Sequence, residues 1–387
     1  MGWLSFGGWI NAIIPVLIVP YYSVIGGWVV KYLFEYIRGN GSKLAEDGYF
    51  SGFISSGGAT EICFVIFCMF TLVIIYAGVQ NGIERVSKIM MPILIVLSVI
   101  IAIYSVTRPG AIEGVKYFLV PNVKNFSWMT VVAAMGQMFY SLSIAMGILV
   151  TFGSYMRKDT SIEDSTRNVE IFDTAIAMMA GLMIIPAVFA FSGGDPDTLQ
   201  AGPSLMFITI PKVFANMGFG TAVGILFFVL VLFAAVTSSI ALTESAVSTF
   251  EDELGWGRKK ATVLTGVIMI TLGTLSCLGY GPLDFVKIIG MQFLDFFDFL
   301  TNSVMMPIAA LMTSLLVSRV IGVDKIEEEI RHGESTFRRK KIFVVMIKYL
   351  CPIFALIILA SSVANAFGWI AMSKMDEWKK CKSRCSQ

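Results

Sequence analysis

Charged residues and histidine are scarce in this sequence of 387 residues, and their scarcity excludes several classes of protein. Only 14% of the residues are Asp, Glu, Lys or Arg, and His332 is the one histidine. A Ser/His/Asp set and a zinc-protease helix both need histidines in a defined context, and no phosphate-binding loop is present either. We therefore expect neither an enzyme nor an organic cofactor, and nothing predicts a nucleic-acid partner.

Cysteine is also sparse and lacks the spacing of a metal site. Four of the six cysteines lie in apolar runs, where they are expected to pack as small hydrophobic residues: Cys63, Cys68, Cys277 and Cys351. Cys381 and Cys385 follow in the basic tail, where they could pair or bind a metal, but no histidine lies nearby to complete a ligand set.

Long apolar runs are abundant. The chain is 56% hydrophobic with a mean hydropathy of +0.77, far above that of a soluble domain. A bilayer core requires about 20 apolar residues per helix. Nine runs satisfy this requirement: about 9–37, 59–79, 85–107, 128–155, 169–193, 217–249, 261–280, 285–318 and 342–371. The sequence therefore predicts an all-α polytopic membrane protein in contact with the lipid bilayer.

Basic residues are concentrated in alternate connectors, which predicts the orientation. Short connectors hold Arg85 and Lys88, then Arg157, Lys158 and Arg167, then Arg258–Lys260, and the longest holds Arg319, Lys325, Arg331 and Arg338–Lys341. The intervening connectors, such as 194–216 and 279–286, are poorer in base, so the rich set is expected to face the cytoplasm. The basic tail, 372–387, then lies outside, against this rule.

The fourth run contains a polar interruption. Gly136 and Gly147 bracket a stretch that carries Ser141 and Ser143 at about the middle of the membrane. A break in a membrane helix is tolerated only where it lines a cavity or is covered by protein, so the pattern indicates a transport site. The alternative is an intact helix, with glycines for close packing and serines bonded to the preceding turn.

Four carboxylates lie within apolar runs, where charge is costly and usually functional. Asp173 begins the fifth run, and Asp295 and Asp298 lie three residues apart, so both can share one helical face. Glu244 follows a hydroxyl-rich stretch that begins at Thr237. Hydroxyl and carbonyl oxygens suit a hard cation such as sodium. The alternatives are interfacial aspartates and hydroxyls that serve helix packing.

Six ordered blocks resemble the neurotransmitter/sodium symporters, specifically the bacterial amino-acid transporters with the leucine-transporter inverted-repeat fold. The blocks are Ile14–Tyr22, Gly82–Pro92, Gly136–Asp159, Phe207–Pro211, Phe233–Ala241 and Phe250–Leu254. The first block resembles the third helix of the family, so the nine runs would be helices three to eleven. Two explanations remain open: the sequence begins at an internal methionine of a longer one, or the protein is a short paralogue.

The resemblance implies a role for each matching residue. Substrate contacts fall on Tyr22, Tyr140, Ser141, Ser143, Met146, Ser238 and Leu242. Sodium ligands fall on Ser141 and Asp173 for one ion and on Ala234, Thr237 and Ser238 for the other. Gates fall on Asp298 outside and on Asp252 and Tyr155 inside, and hinges on Gly82, Pro92, Gly136 and Gly147. Chloride-independent relatives have a carboxylate near Asp173, so we expect no chloride requirement.

The function implied is sodium-coupled symport of an amino acid by alternating access. The protein would be a multi-pass protein of the plasma membrane, which in bacteria is the inner membrane. Residues 1–371 would form a single transporter domain, incomplete at its N-terminus relative to the family, and the chain given would be inactive or impaired. The alternative is a non-transporting scaffold or a partner-dependent subunit. Met146 and Tyr140 favour a hydrophobic or aromatic substrate, while the amino acid, the ion stoichiometry and the oligomeric state are not determined by the sequence.

Overall fold

The computed structural model describes residues 2–123, 126–194, 199, 202–333 and 336–367. Helices dominate this part of the chain, as the apolar runs predict. In chain order the α-helices are α1 Gly2–Ile37, α2 Gly41–Leu44, α3 Tyr49–Ser55, α4 Gly58–Tyr76, α5 Arg85–Val106, α6 Ala111–Leu119, α7 Trp128–Ser141, α8 Ile148–Ser154, α9 Ile162–Ser192, α10 Ile210–Ala215, α11 Gly220–Leu254, α12 Arg258–Leu278, α13 Phe293–Asp298, α14 Met306–Leu315, α15 Val323–Gly333, α16 Lys340–Val345 and α17 Cys351–Ala366. The basic tail, with Cys381 and Cys385, lies outside the described residues.

Five π-helical segments interrupt or extend these helices: Val79–Glu84, Leu205–Thr209, Phe299–Met305, Leu316–Ile321 and Met346–Leu350. With them included, eight continuous helices in the described part of the chain are long and apolar enough to cross a membrane. They are Phe6–Ile37, Gly58–Tyr76, Val79–Val106, Ile162–Ser192, Gly220–Leu254, Arg258–Leu278, Phe293–Ile321 and Lys340–Ala366. The remaining predicted run, 128–155, is the interrupted pair of α7 and α8.

One predicted boundary differs clearly from the structure. The run at 285–318 does not become helical until Phe293, because Gly290 adopts a left-handed φ of +77° and Ile288 forms an isolated bridge with Met291. Apolar side chains therefore extend beyond the helix at this point, and hydropathy alone cannot separate the helix from the turns that precede it.

The chain divides into two compact units, each with its own packing. The larger unit consists of Val19–Val123 and Phe172–Leu294, and the smaller consists of the described residues of Met1–Ile18, Lys124–Ile171 and Asp295–Gln387. In the larger unit α11 packs against α4, α5 and α12, and α12 packs against α4. In the smaller unit α17 packs against α7 and α14.

Small residues bring the helices of the larger unit together, as is common in membranes. A Cβ at Gly27 of α1 would lie 2.6 Å from the backbone nitrogen of Phe64 in α4. A Cβ at Gly273 of α12 would lie 2.2 Å from the ring of the same phenylalanine. Gly27 therefore admits the backbone of α4 and Gly273 admits the Phe64 ring, so α4 lies close to both α1 and α12.

Candidate substrate and sodium sites

The interruption of the fourth run is real. α7 ends at Ser141 and α8 begins at Ile148, and between them Ser143 and Ala145 have left-handed φ values of 53° and 60°. Gly147 follows with φ +74° at the start of α8. Left-handed backbone costs a non-glycine residue about 1–2 kcal/mol, and such strain is concentrated at functional sites. The break predicted from the sequence is confirmed, although Gly136, assigned as a hinge, lies within α7.

Four residues of this region are predicted to contact the substrate. Tyr140 and Ser141, on the last turn of α7, are exposed, Ser143 is half-buried and Met146 is buried. The amide of Ile144 donates to the carbonyl of Phe139 at 2.9 Å, which closes the end of α7. The turn thus presents a hydroxyl, a thioether and an aromatic ring within about one turn of irregular backbone.

A cavity of about 150 Å³ lies beside Tyr140 in the smaller unit. It is lined by Gly136, Phe139, Tyr140, Asn302, Ser303, Met306, Pro307, Ile358 and Ser362. The Asn302 side chain donates to a carboxylate oxygen of Asp298 at 2.6 Å. The predicted outer gate residue is therefore bonded to a cavity-lining amide. Asn302 and Ser303 were not assigned by the sequence, although their polarity within an apolar run is the signal that marks them.

In the larger unit, two residues predicted to border the substrate come together. A side-chain hydrogen bond joins Tyr22 of α1 and Ser238 of α11. Leu242, one turn after Ser238, is buried. The sequence separation of these helices is large, so their pairing is a result of tertiary packing rather than of local structure.

The predicted ligands of the second sodium ion lie on one turn of α11. The hydroxyl of Thr237 donates to the carbonyl of Ala234 at 3.0 Å and to the carbonyl of Phe233 at 3.0 Å. Ser238, the next residue, is exposed and shares its hydrogen bond with Tyr22. The atoms that could bind the ion are all oxygens, which fits a hard cation such as sodium. They lie on a single helix, so further ligands would have to come from elsewhere.

The first sodium ion was assigned to Ser141 and Asp173. Ser141 is the last residue of α7 in the smaller unit, and Asp173 is half-buried on α9 in the larger unit. From Ile171 to Ser192, the apolar part of α9, Asp173 is the one acidic residue. The role that the resemblance assigns to the Asp173 carboxylate stays a prediction.

The inner gate and the hinge residues occupy helix ends. Asp252 is exposed near the end of α11, and Tyr155 caps α8 with its ring edge against Phe152. Gly82 lies in the π-helical segment Val79–Glu84, where a Cβ would meet the carbonyl oxygen of Ile74 at 2.1 Å. Pro92 lies inside α5. Gly82 is therefore required for a close backbone approach at the start of this span.

Glu244 is paired with an arginine, whereas a place beside a cavity was one of the two interpretations of its position. Its side chain is fully buried and accepts two bonds from the guanidinium of Arg258, at 3.0 and 2.5 Å. Arg258 also donates to the carbonyl of Ile75 at 3.0 Å. From the sequence, Arg258 was assigned only to a basic connector. Its pairing with Glu244, 14 residues away, is not indicated by any local sequence pattern.

Comparison with known proteins agrees with the fold. The sequence pattern of the "Sodium:neurotransmitter symporter family" matches residues 49–379. The chain is 36% identical to the sodium-dependent transporter YhdH of Bacillus subtilis over 85% of this chain and 72% of that protein. It is 32% identical to a sodium-dependent transporter of Haemophilus influenzae over 89% of this chain and 76% of that protein.

The fold is similar to that of MhsT, solved in complex with L-phenylalanine. The TM-score is 0.81 and the sequence identity 35%, and the similarity covers 93% of this chain and 81% of MhsT. The family consists of sodium-dependent transporters rather than enzymes, and the eight apolar helices of the described residues make this a multi-pass membrane protein. From its sequence pattern, its relatives and its fold, the chain belongs to the sodium:neurotransmitter symporter family.

Proposed function

We propose that this chain carries out sodium-coupled symport of an amino acid by alternating access in a bacterial inner membrane. The observation that carries the proposal is the break between α7 and α8, with its left-handed residues Ser143 and Ala145. A break within a membrane span leaves backbone amides and carbonyls without helical partners, and these groups are suited to a zwitterionic substrate. Residues 1–371 would form one transporter domain, followed by the tail 372–387.

The substrate side chain is proposed to be hydrophobic or aromatic. Met146 is buried beside the break and Tyr140 adds an aromatic ring, so the groups available there are apolar. A relative with the same fold, MhsT, was solved with L-phenylalanine, which supports an amino acid of this class. Tyr22 and Ser238, joined by their hydrogen bond, would supply hydroxyls to the polar end of the substrate.

Sodium is proposed to bind through Ala234, Thr237 and Ser238 of the larger unit, and Ser141 and Asp173 are each proposed as further sodium ligands. Sodium that binds better to one conformation shifts the population toward it, and this difference in affinity couples the ion to the substrate. Moving one charge through 100 mV contributes about 2.3 kcal/mol, so an ion gradient is an adequate driving force. We further propose that chloride is not required, because the Asp173 carboxylate supplies the negative charge.

The test is binding of radiolabelled L-phenylalanine and L-leucine to the purified chain in detergent, with sodium or with choline. A second sample adds the first two helices of a family member upstream of this chain. Sodium-dependent binding in either sample supports the proposal. Absence of binding from both overturns it and favours the scaffold or subunit alternative.

Two hydroxyl deletions locate the ion site. Thr237→Val removes a proposed ligand and is expected to weaken sodium-dependent binding at least tenfold. The matched control is Thr271→Val, because the Thr271 hydroxyl makes the same kind of bond to its own helix, to the carbonyl of Val267 at 2.7 Å, in an exposed position. Equal effects of the two variants would contradict the ion site. Replacing chloride by gluconate is expected to leave binding unchanged.

A further inference from the structure

A groove of about 340 Å³ runs along the outer surface of the larger unit, between α4 and α12. This groove, called here the α4–α12 groove, is lined by Met69, Val73 and Tyr76 from α4, and by Thr262, Val263 and Ile270 from α12. Its volume lies in the range of small-molecule sites. From Thr262 to Ile270 it extends about 12 Å along the helix.

The helices run in opposite directions along this groove. Gly273 of α12 lies against Phe64, and Gly266 lies against Leu72, where a Cβ would be 3.1 Å from a methyl carbon. Gly266 therefore leaves the floor of the groove open while the two helices remain in contact. Its walls are exposed apolar side chains, with Val73 and Val263 each 62% exposed. Both helices are long and apolar enough to span a membrane, so lipid is the medium that we expect at these walls.

A polar atom without a partner lies in this apolar groove. The Thr262 side chain is 4% exposed, and its hydroxyl makes no hydrogen bond. A buried hydroxyl without a partner costs about 1–3 kcal/mol, and threonines in helices ordinarily avoid this by bonding to the preceding turn, as Thr265 does. Thr262 lines the groove, so an occupant of the groove is the group that could supply the partner its hydroxyl lacks.

The end of the groove near Thr262 is basic. Lys259 and Lys260, on the first turn of α12, are exposed, and the ammonium of Lys259 lies 5.9 Å from the centre of the Tyr76 ring, which lines the groove. Arg258 is engaged with Glu244 and Ile75, so the two lysines are the cations available at this end. The groove therefore combines an apolar channel, a hydroxyl and positive charge in that order along one span.

We propose that the α4–α12 groove binds an anionic diacyl phospholipid. One acyl chain lies between Met69 and Val267, the Thr262 hydroxyl donates to an ester carbonyl, and the phosphate lies at Lys259 and Lys260. The positive end, the hydroxyl and the apolar channel match the order of phosphate, ester and chain in such a lipid. Basic residues near the membrane surface attract anionic lipids, each by about 1 kcal/mol or about fivefold in affinity.

The test is native mass spectrometry of the full chain in detergent, titrated with phosphatidylglycerol or phosphatidylcholine of the same acyl chains. The unmodified chain is expected to bind phosphatidylglycerol at least tenfold more tightly. Replacement of both lysines, Lys259→Gln with Lys260→Gln, is expected to weaken phosphatidylglycerol binding about 25-fold and to leave phosphatidylcholine unchanged. The control is Lys158→Gln with Lys325→Gln, which removes the same charge from exposed sites elsewhere.

A bulky side chain placed in the groove distinguishes lipid binding at this site from general attraction of the protein to anionic lipid. Val263→Trp is expected to abolish retention of phosphatidylglycerol, whereas Ile103→Trp, at an equally exposed apolar position on α5, retains it. Thr262→Val is expected to raise the melting temperature in lipid-free detergent but to reduce the increase that phosphatidylglycerol gives. Equal binding of the two lipids, equal effects of the two tryptophans, or a groove closed by a second copy of the chain would each overturn the proposal.

Discussion

Replacing Arg258 by methionine would leave the carboxylate of Glu244 buried without its partner. The Glu244 side chain is completely inaccessible, while Arg258 is 22% exposed and lies 3.7 Å from a second carboxylate, Glu251. Removing one member of a buried ion pair costs about 3–5 kcal/mol, because the remaining charge keeps its desolvation penalty. Arg258→Met should therefore lower the free energy of unfolding by about 3–5 kcal/mol.

The reverse replacement should cost less. In Glu244→Gln, Arg258 retains solvent, Glu251 and the Ile75 carbonyl, so the loss is that of hydrogen bonds to a charged group, about 1.5–3 kcal/mol. The double variant, Glu244→Gln with Arg258→Met, removes the orphaned charge. It should be more stable than Arg258→Met alone, so the costs of the two single replacements should not add.

The assay is equilibrium unfolding in mixed micelles, followed by tryptophan fluorescence. Lys88→Met serves as the control, because Lys88 and Glu84 form an exposed pair one turn apart, worth about 0.2–0.5 kcal/mol. If Arg258→Met cost no more than Lys88→Met, or if the double variant were as unstable as Arg258→Met, the assignment of a buried, coupled pair would be wrong.

Two further predictions concern a surface carboxylate and a helix start. Hydrogen bonds from Lys340, the larger cause, and from Arg331 hold the pKa of Glu327 below its usual range. These interactions stabilise the fold at pH values above the unfolded pKa of about 4.3. Their contribution is lost as the pH falls through the lower pKa of the folded state. Glu327→Gln should therefore lower the melting temperature at pH 7, and the difference in melting temperature from the unmodified chain should disappear at acidic pH. Gly82→Ala should cost about 1–3 kcal/mol of unfolding free energy, because its Cβ meets backbone at 2.1 Å. Gly58→Ala, which meets nothing within 4 Å, should be neutral within about 0.5 kcal/mol.

Controls and contrary outcomes are available for both. For the pH effect, Glu113 pairs with Lys116 in an exposed position, so Glu113→Gln should shift the melting temperature little at any pH. A Glu327→Gln difference that grew on acidification would have the wrong sign for a lowered pKa. For the glycine pair, Gly82→Ala and Gly58→Ala are compared by the same unfolding assay, and equal stabilities would argue against the close approach.

The arrangement of membrane spans could be predicted from the sequence because it is determined by local composition. A run of about 20 apolar residues has to form a helix in lipid, where backbone groups can be satisfied only within the segment. The break after Ser141 was also visible, since glycines and serines within an apolar run are a local signal. Its position was less well defined: Gly136 continues α7, and the left-handed residues begin at Ser143.

Contacts between distant residues were not predictable in the same way. The pairs Tyr22–Ser238 and Glu244–Arg258 depend on how helices rotate and approach each other. Hydropathy does not determine that rotation, because nearly every face of these spans is apolar. Glu244 illustrates the limit, since its position allowed a cavity interpretation until the packing of α11 against α12 showed its partner.

The sequence by itself determined that this protein is an α-helical membrane protein of the sodium:neurotransmitter symporter family, with an interrupted helix near its centre. Those properties follow from composition and from motifs read along the chain. Only the tertiary structure decided which polar side chains are paired, which glycines permit close approach, and where α4 and α12 leave a groove that ends at Lys259. The physical reason is that pairing and packing depend on the distance between helices, and that distance is determined by side chains far apart in the sequence.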